Sequence, residues 1–573
     1  MKKIYPYIKP FIGYILLTLL IKVAASMADL IIPYLMESIL SVGAEAGNAS
    51  KVYLYGSLMA LCAILGLCFN VLANRMSAVS AGKITKSIRH DLFKKTMHFS
   101  ARQMDAVTVS SAESRLTSDT YNINQILARV QRIGIRAPIL LVGGIAMMLI
   151  IDAGLALIPI ALLPIIALIT YFVTKHSIPL YTKQQTILDR VVRTVQENIT
   201  GVRVIKALSK TEHEKERFNV VNSELNDVGE KAGTITAITM PASSLVLNLG
   251  LTIVVILGAI RVRGGHTEPS VIVAFLQYFT LIVNAMMGVT RIFVMWSKAE
   301  ASAQRVAEVL QLPEDQPLQD VENIEHSPAH IEFKDVTFSY TGCGENISHL
   351  SFRLEKGQTL GILGSTGSGK STILNLLMRL YDVNDGQILL NGQDIRSIEP
   401  AQLTSKFGIV FQNDFIAEGD IAHNIRFFRD IPDEKLTIAA QHAQAESILA
   451  EKEAGLSSAV AIRGNNLSGG QKQRLLIARA LAGDPEILVL DDASSALDYQ
   501  TDALLRKALR ENYRNTTTVL VAQRVSSLRH ADLILVLSDG QVIGCGTHND
   551  LMDSCEEYRI IAHTQMGAEG VQV

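Results

Sequence analysis

The sequence predicts a polytopic α-helical membrane domain followed by an α/β nucleotide-binding domain, and three observations carry that prediction. Apolar runs long enough to cross a bilayer fill the first half of the chain and stop before residue 300. A glycine-rich loop ending in Lys370-Ser371 lies between an apolar strand and a helical stretch. From Ile331 onward, short β-type runs alternate with helical segments, the pattern of a largely parallel sheet. Composition agrees: of 573 residues, 48% are hydrophobic and 19% charged, so part of the chain belongs in lipid. Fifty-three Lys plus Arg against 55 Asp plus Glu give a formal charge of −2, which argues against a strongly basic nucleic-acid binder and against an acidic disordered tail.

Four segments, Val52–Asn74, Ala153–Thr174, Ala232–Ile260 and Pro269–Thr290, contain no Asp, Glu, Lys or Arg, and each reaches the ~20 residues that a helix needs to span the hydrocarbon. Two more are imperfect. Phe11–Met36 carries Lys22 and Asp29, and Ala137–Ile151 is short but extends back through Ile133 if Arg136 reaches the interface. The first thirty residues imitate a signal peptide, with Lys2, Lys3 and Lys9 ahead of an apolar run. That run continues through Leu30–Met36, too long for a signal core, so an uncleaved first span is predicted.

Loop lengths and charge then set the topology. Ser41–Ser50, Asp152 and Arg261–Glu268 are short connections and read as outside loops. Met76–Arg136 and Lys175–Gly233 are long and each holds ten Lys/Arg, which marks them as cytoplasmic. Arg261 and Arg263 run against that rule. The long segments keep a helical scatter of apolar residues, as at Ile84, Ile88 and Leu92, so they are predicted to carry the membrane helices out as two helical hairpins. Cys62 and Cys68 sit in an apolar stretch, with Cys343, Cys545 and Cys555 far downstream, so neither a disulfide framework nor a zinc spacing is available, and reduced surroundings fit the polar part. Prolines 313, 317 and 328 among acids mark a linker, giving residues 1–310 as the membrane domain, 311–329 as the linker and 330–573 as the second domain.

The chemistry lies in that second domain. Gly364-Ser365-Thr366-Gly367-Ser368-Gly369-Lys370-Ser371 and the following Thr372 match a phosphate-binding loop, between the strand Thr359–Leu363 and a helix. Glycines let backbone N–H groups turn inward around phosphate, Lys370 brings a point charge, and Ser371 offers an oxygen to Mg²⁺. Ile487–Leu490 reads as a buried strand that delivers Asp491 to the same site, where it can hold a magnesium water.

Between these two lies Ser468-Gly469-Gly470-Gln471 at the start of a helix, and here the chain resembles the ATP-binding cassette (ABC) transporters, as an exporter-type half-transporter. The resemblance implies a cassette with an antiparallel β subdomain and a helical subdomain. It implies ATP and Mg²⁺ as ligands, Tyr340 stacking on adenine, Gln412 as a further magnesium and water contact beside Ser371 and Asp491, and Ser495–Asp498 as the loop facing a second subunit. Ser468 to Gln471 would then touch the ATP held by the partner. The hairpin tips, near Val107–Leu116 and Thr200–Leu208, would be the coupling helices that dock on the cassettes.

Two departures bear on function. Asp492 stands where the family usually has a catalytic Glu, and Gln523 where it has a switch His. A base one methylene short loses reach to its water, and glutamine cannot carry a positive charge. With its signature intact, the chain is expected to be the degenerate-site subunit of a heterodimeric multidrug-type exporter, in the cell membrane with its N-terminus and cassette cytoplasmic. Its partner would be a second half-transporter that retains Glu and His, and its cargo a small amphipathic molecule. The same architecture also serves peptide and siderophore transporters, and a membrane-anchored ATPase sensor is the alternative of a different class. Ala459–Ile462 lacks the acids that exporters often place before Arg463-Gly464. Lys22 and Asp29, two turns apart, share a helix face with Glu37 and mark either a translocation cavity or gate, or snorkelling ends with a structural pair. Met286 and Met287 on the sixth span are candidates for an adaptable pocket or for plain packing.

Overall fold

The computed structural model describes residues 2–46, 48–313, 315–319, 321, 329–342, 344–412, 415–450 and 454–570. Of the expected linker, residues 314, 320 and 322–328 lie outside the described residues, as does Cys343. The chain divides into two compact units, Met1–Met97 with Val109–Leu312, and His98–Thr108 with Pro313–Val573.

The first unit is built of helices. Among the described residues six are long and apolar enough to cross a membrane: Tyr5–Val42, Ala49–Met97, Val109–Ile151, Ala153–Thr200, Thr211–Arg263 and Pro269–Met286, the last being part of a helix that runs to Leu310. The 49-residue Ala49–Met97 is about 70 Å long at ~1.5 Å per residue, more than twice the hydrocarbon thickness. Its far half buries Ile84, Ile88 and Leu92, at i, i+4 and i+8, which is how a helix continues as structure beyond the lipid.

Several polar groups inside this unit have specific partners. Pro33 lacks the N–H that would close the preceding helical turn, and in that turn the carbonyl of Leu30 accepts a hydrogen bond from the buried Tyr278 hydroxyl at 2.7 Å. Asp152 breaks the chain between the third and fourth spans and caps the fourth, accepting from the N–H groups of Gly154 and Leu155 at 2.9 and 3.1 Å. Its other oxygen pairs with Arg261 at 3.2 Å, with the Asp152 side chain 5% exposed. Arg261, anomalous as a topology charge, is thus the counter-ion of a buried aspartate. Gly154 permits the approach, because a Cβ there would lie 2.8 Å from the guanidinium.

In the second unit, strands β1 (Ile331–Phe338), β2 (Ile347–Leu354), β4 (Asp385–Leu390) and β5 (Gln393–Asp394) form an antiparallel sheet in the order β2-β1-β4-β5. The main sheet runs β12-β11-β3-β10-β9-β6, using β3 (Thr359–Gly364), β6 (Phe407–Val410), β9 (Ile487–Asp491), β10 (Thr517–Val521), β11 (Leu533–Ser538) and β12 (Gln541–Gly546). All of its pairings are parallel except β11 with β12, and β7 (Gly419–Asp420) pairs antiparallel with β8 (Ala459–Val460) in a separate two-stranded sheet. The expected strands at Thr359 and Ile487 therefore flank β10, and Ile362, Val489, Val519 and Leu535 join Ile373 and Leu377 of the helix Lys370–Leu377 in one buried core. A second core holds the helical insertion, with Ile421, Ile425 and Leu436 packed against Leu475 and Ile477 of the helix Gly469–Leu481.

The eleven residues His98–Thr108 belong to this second unit although both flanks belong to the first. Ser100 and Gln103 form a capping box that starts the helix Ala101–Val107, and Thr108, at φ 60°, ends it. Three hydrogen bonds hold it within the second unit: Ser100 Oγ to Asp315 Oδ2 at 2.6 Å, Gln103 Nε2 to the Pro313 carbonyl at 2.8 Å, and the Tyr381 hydroxyl to Asp105 Oδ2 at 2.5 Å. This corrects the expectation of a tip at Val107–Leu116, where the helix Val109–Ser114 already belongs to the membrane unit. In the other hairpin a short helix, Val202–Ala207, lies inside Thr200–Leu208 and leaves Val204 and Leu208 more than half exposed.

Candidate nucleotide site

The parallel strands end together, and the site lies outside their carboxyl ends, the usual place for a ligand in an open α/β sheet. β3 ends in the phosphate loop, where Gly367 and Gly369 have φ of 88° and 101°, left-handed values that exclude ordinary side chains. A Cβ on Gly364 would lie 2.5 Å from the Leu537 carbonyl oxygen, so the loop is closely backed by β11. The Lys370 ammonium donates to the carbonyls of Gly364 and Ser365 at 2.9 and 2.6 Å, and the Ser368 hydroxyl is buried without a partner among the described residues.

β9 brings Asp491 opposite this loop, and the Ser371 hydroxyl donates to Asp491 Oδ2 at 3.0 Å. Lys370, Ser371, Thr372, Gln412, Asp491, Asp492 and Gln523 line one pocket of about 420 Å³. Gly364, Ser365 and Ser368 shape the loop behind it. Burial lowers the Lys370 ammonium from its ordinary value, opposed by Asp491 and Asp492. It raises both carboxylates, Lys370 acting against the rise in each. The Ser371 hydroxyl, the Gln412 amide and the Asp491 carboxylate offer oxygen ligands, which suits Mg²⁺, and the orphaned Ser368 hydroxyl and glycine-lined cradle suit a phosphate chain.

At the edge of this pocket the two unusual residues meet. Gln523 Nε2 donates to Asp492 Oδ2 at 3.0 Å, so a neutral amide holds this carboxylate. Asp492 has φ 50°, and its backbone is fixed by a bond from its N–H to the Val521 carbonyl at 3.0 Å.

Two sets of expected nucleotide contacts lie outside this pocket. Tyr340 does not line the pocket: its ring packs edge-on against Phe338 and Tyr381, with centroids at 4.8 and 4.9 Å, and its hydroxyl donates to Thr372 Oγ1 at 3.3 Å. Ser468 caps the helix Gly469–Leu481, with Gln471 closing the reciprocal bond to the Ser468 N–H at 2.9 Å, and none of Ser468, Gly469, Gly470 or Gln471 reaches this chain's own pocket. Gly470 is required by proximity, since a Cβ would lie 3.0 Å from the Ala496 carbonyl oxygen. Gln473 bridges the signature helix to that loop through the Ala496 N–H at 2.9 Å.

Sequence reasoning missed Glu345, Asn346, Asp539 and Gly540, which complete the pocket wall. Asp539-Gly540 is legible as the turn joining β11 and β12, but nothing local shows that the Gly540 N–H donates to the Ser368 carbonyl at 3.2 Å and braces the phosphate loop.

In the membrane unit, Lys22 and Asp29 both line a cavity of about 1140 Å³. Lys22 is 3% exposed and donates to Asn70 and Asn74 at 2.7 and 3.3 Å, and Asp29 pairs with Arg136 at 2.9 Å. Met286 is outside that lining and packs against Ile166, Phe279 and Val283 instead, while the Met287 side chain lies outside the described residues.

Six membrane-length helices joined to a phosphate-binding α/β domain define a membrane-embedded P-loop ATPase. The family is given by comparison. Residues 15–286 match the ABC transporter transmembrane region family and residues 347–495 match the ABC transporter family. An uncharacterized ABC transporter ATP-binding protein of Bacillus subtilis (strain 168) is 31% identical, over 100% of this chain and 99% of that one. One of Mycobacterium tuberculosis is 30% identical over 98% and 97%. A fatty acid ABC transporter ATP-binding/permease protein of Mycobacterium bovis is 31% identical over 83% of this chain and 76% of its own. The chain belongs to the ABC transporter family, as a multi-pass membrane protein with an ATP-binding domain. A bacterial Atm1-family ABC exporter solved with ATP bound superposes with a TM-score of 0.80 at 24% identity, covering 97% and 98% of the two chains, and so shares the fold.

Proposed function

We infer that this chain is the degenerate-site subunit of a heterodimeric ATP-driven exporter of the cell membrane, with its N-terminus and cassette in the cytoplasm. Its own pocket binds Mg–ATP through Lys370, Ser371, Gln412 and Asp491 and hydrolyses it slowly, and Ser468 to Gln471 complete the partner's site, where turnover takes place. The observation that carries this reading is the 3.0 Å bond from Gln523 to Asp492: the shortened base is occupied by an amide that cannot become cationic. The signature keeps its Ser-Gly-Gly-Gln helix start but lies away from this chain's phosphate loop, which supports a second subunit as its user. The uncovered Val204 and Leu208 on the second hairpin tip support a second cassette as their neighbour. The cargo is a hydrophobic or amphipathic molecule, drug or lipid, and the fatty acid transporter among the relatives favours the lipid side.

The test is a pair of matched variants in the co-purified transporter. Glu→Gln at the partner's catalytic position should lower ATP turnover about 100-fold or more, whereas Asp492→Asn should change it less than about threefold. Equal losses, or brisk hydrolysis by this chain as a homodimer in lipid, would overturn the reading.

A further inference from the structure

The membrane cavity is charged in a way that transport of neutral or cationic amphiphiles does not require. Among the described residues lining it, Lys22, Arg129, Arg132 and Arg136 are cationic and Asp29 is the one carboxylate, a lining charge of 4 − 1 = +3. Charge facing a cavity with apolar walls is costly unless it is paired or meets water. Among the described residues, Arg136 is the one of these four with a carboxylate partner within 4 Å. Lys22 is bonded to neutral amides, Arg132 Nη2 to the Asn74 carbonyl at 3.3 Å, and Arg129 makes no ion pair among the described residues. The Nε atoms of both Arg132 and Arg136 are buried with no hydrogen-bond partner among the described residues.

The cations are also graded along the helix. Arg129, Arg132 and Arg136 recur at i, i+3 and i+7, and the same stripe continues as Ala137 and Leu140, so one helix presents a cationic section followed by an apolar one. Arg132 lies inside the π-turn Val130–Gly134, a local widening of the helix of the kind that recurs at functional sites. Ile32 on the first helix and Leu276 and Leu281 on the sixth extend the apolar wall. A planar guanidinium matches a carboxylate or phosphate oxygen pair, and the apolar section matches a hydrocarbon chain.

We propose that this cavity is a binding site for anionic single-chain amphiphiles, with the head group, a carboxylate or a phosphate monoester, held by Arg132 and Arg136 and backed by Lys22 and Arg129, and the tail along Leu140, Leu276 and Leu281. The proposal rests on the transporter reading and gives it a substrate class. Asp29 is the internal competitor: it occupies Arg136 and sets the level of anion affinity.

The experiment is direct binding, without nucleotide, to the full-length transporter in nanodiscs of neutral lipid. The probes are a long-chain fatty acid and the alkyl phosphate, alcohol and trimethylammonium of the same chain length. Wild type should bind the acid, the phosphate or both at least about tenfold more tightly than the alcohol and the ammonium, the two anion arms showing which head group is preferred. Arg132→Gln with Arg136→Gln should lower anion affinity about tenfold to a hundredfold and leave alcohol binding within about twofold. Asp29→Asn should tighten anion binding severalfold, a gain that a misfolded protein cannot give. Equal binding of all four probes by wild type, or an anion preference that survives the double variant, would overturn the proposal. Because no nucleotide is used, a failed head-group preference leaves the hydrolytic asymmetry standing, and a failed asymmetry leaves the binding result standing.

Discussion

The nucleotide pocket and the membrane-unit cavity recruit their charge differently. In the cassette one half-buried ammonium, Lys370, shares a pocket of about 420 Å³ with four carboxylates, Glu345, Asp491, Asp492 and Asp539, and much of the phosphate cradle is backbone. In the membrane unit four cations face one carboxylate in about 1140 Å³, and the work is left to side chains from several helices. A site made of backbone must be written contiguously, with glycines wherever φ is positive, whereas a site made of side chains can be scattered over the chain. That difference decides both what each pocket can select and how visible it was beforehand.

The largest test of the comparison concerns the signature, which belongs to neither pocket of this chain. Gly469→Asp should lower turnover of the assembled transporter about 100-fold while ATP binding at this chain's own pocket stays within about twofold, measured by steady-state hydrolysis and by photolabelling with an azido nucleotide. Loss of labelling in parallel with turnover would mean that Ser468 to Gln471 serve this chain. Lys370→Ala should weaken labelling of this chain about tenfold to a hundredfold, because it removes one charge-assisted contact to phosphate. Turnover should fall less than labelling, and a larger fall in turnover would break the assignment of hydrolysis to the other site.

A smaller effect is expected where the cassette holds the segment His98–Thr108. Tyr381→Phe removes the bond to Asp105, worth about 1.5–3 kcal/mol for a charged acceptor, discounted toward the low end by exposure. Substrate stimulation of ATPase activity should drop severalfold with basal hydrolysis nearly unchanged. The smallest effect sharpens the account of Asp152. Asp152→Asn keeps an oxygen for the cap and loses the ion pair to Arg261, so thermal unfolding of the membrane unit should begin a few degrees lower, by about 1–2 kcal/mol of local stability.

The nucleotide pocket was legible because strand, glycine loop and lysine are consecutive, and because Asp491 ends an unbroken apolar strand. What escaped was the far wall, Glu345, Asn346, Asp539 and Gly540, which the sheet order brings in from other loops. The first hairpin tip was misplaced although Ser100 and Gln103 spell a capping box, since a seven-residue helix leaves little periodicity to read. The membrane cavity was visible only at Lys22 and Asp29. Arg129, Arg132 and Arg136 were counted among the positive charges of a cytoplasmic segment, and charge counting cannot tell an arginine that faces water from one that faces a cavity. Asp492 and Gln523 were each noticed as departures, but their mutual hydrogen bond was not readable from a separation of 31 positions.

The assignment of His98–Thr108 to the cassette unit has a practical corollary for anyone exchanging parts between transporters. A chimera spliced only at Leu312/Pro313 would give the incoming engine a foreign handle, with Asp105, Ser100 and Gln103 still shaped for the old one. A graft that also carries residues 98 to 108 transplants lock and key together, which makes the natural modular boundary three cuts rather than one.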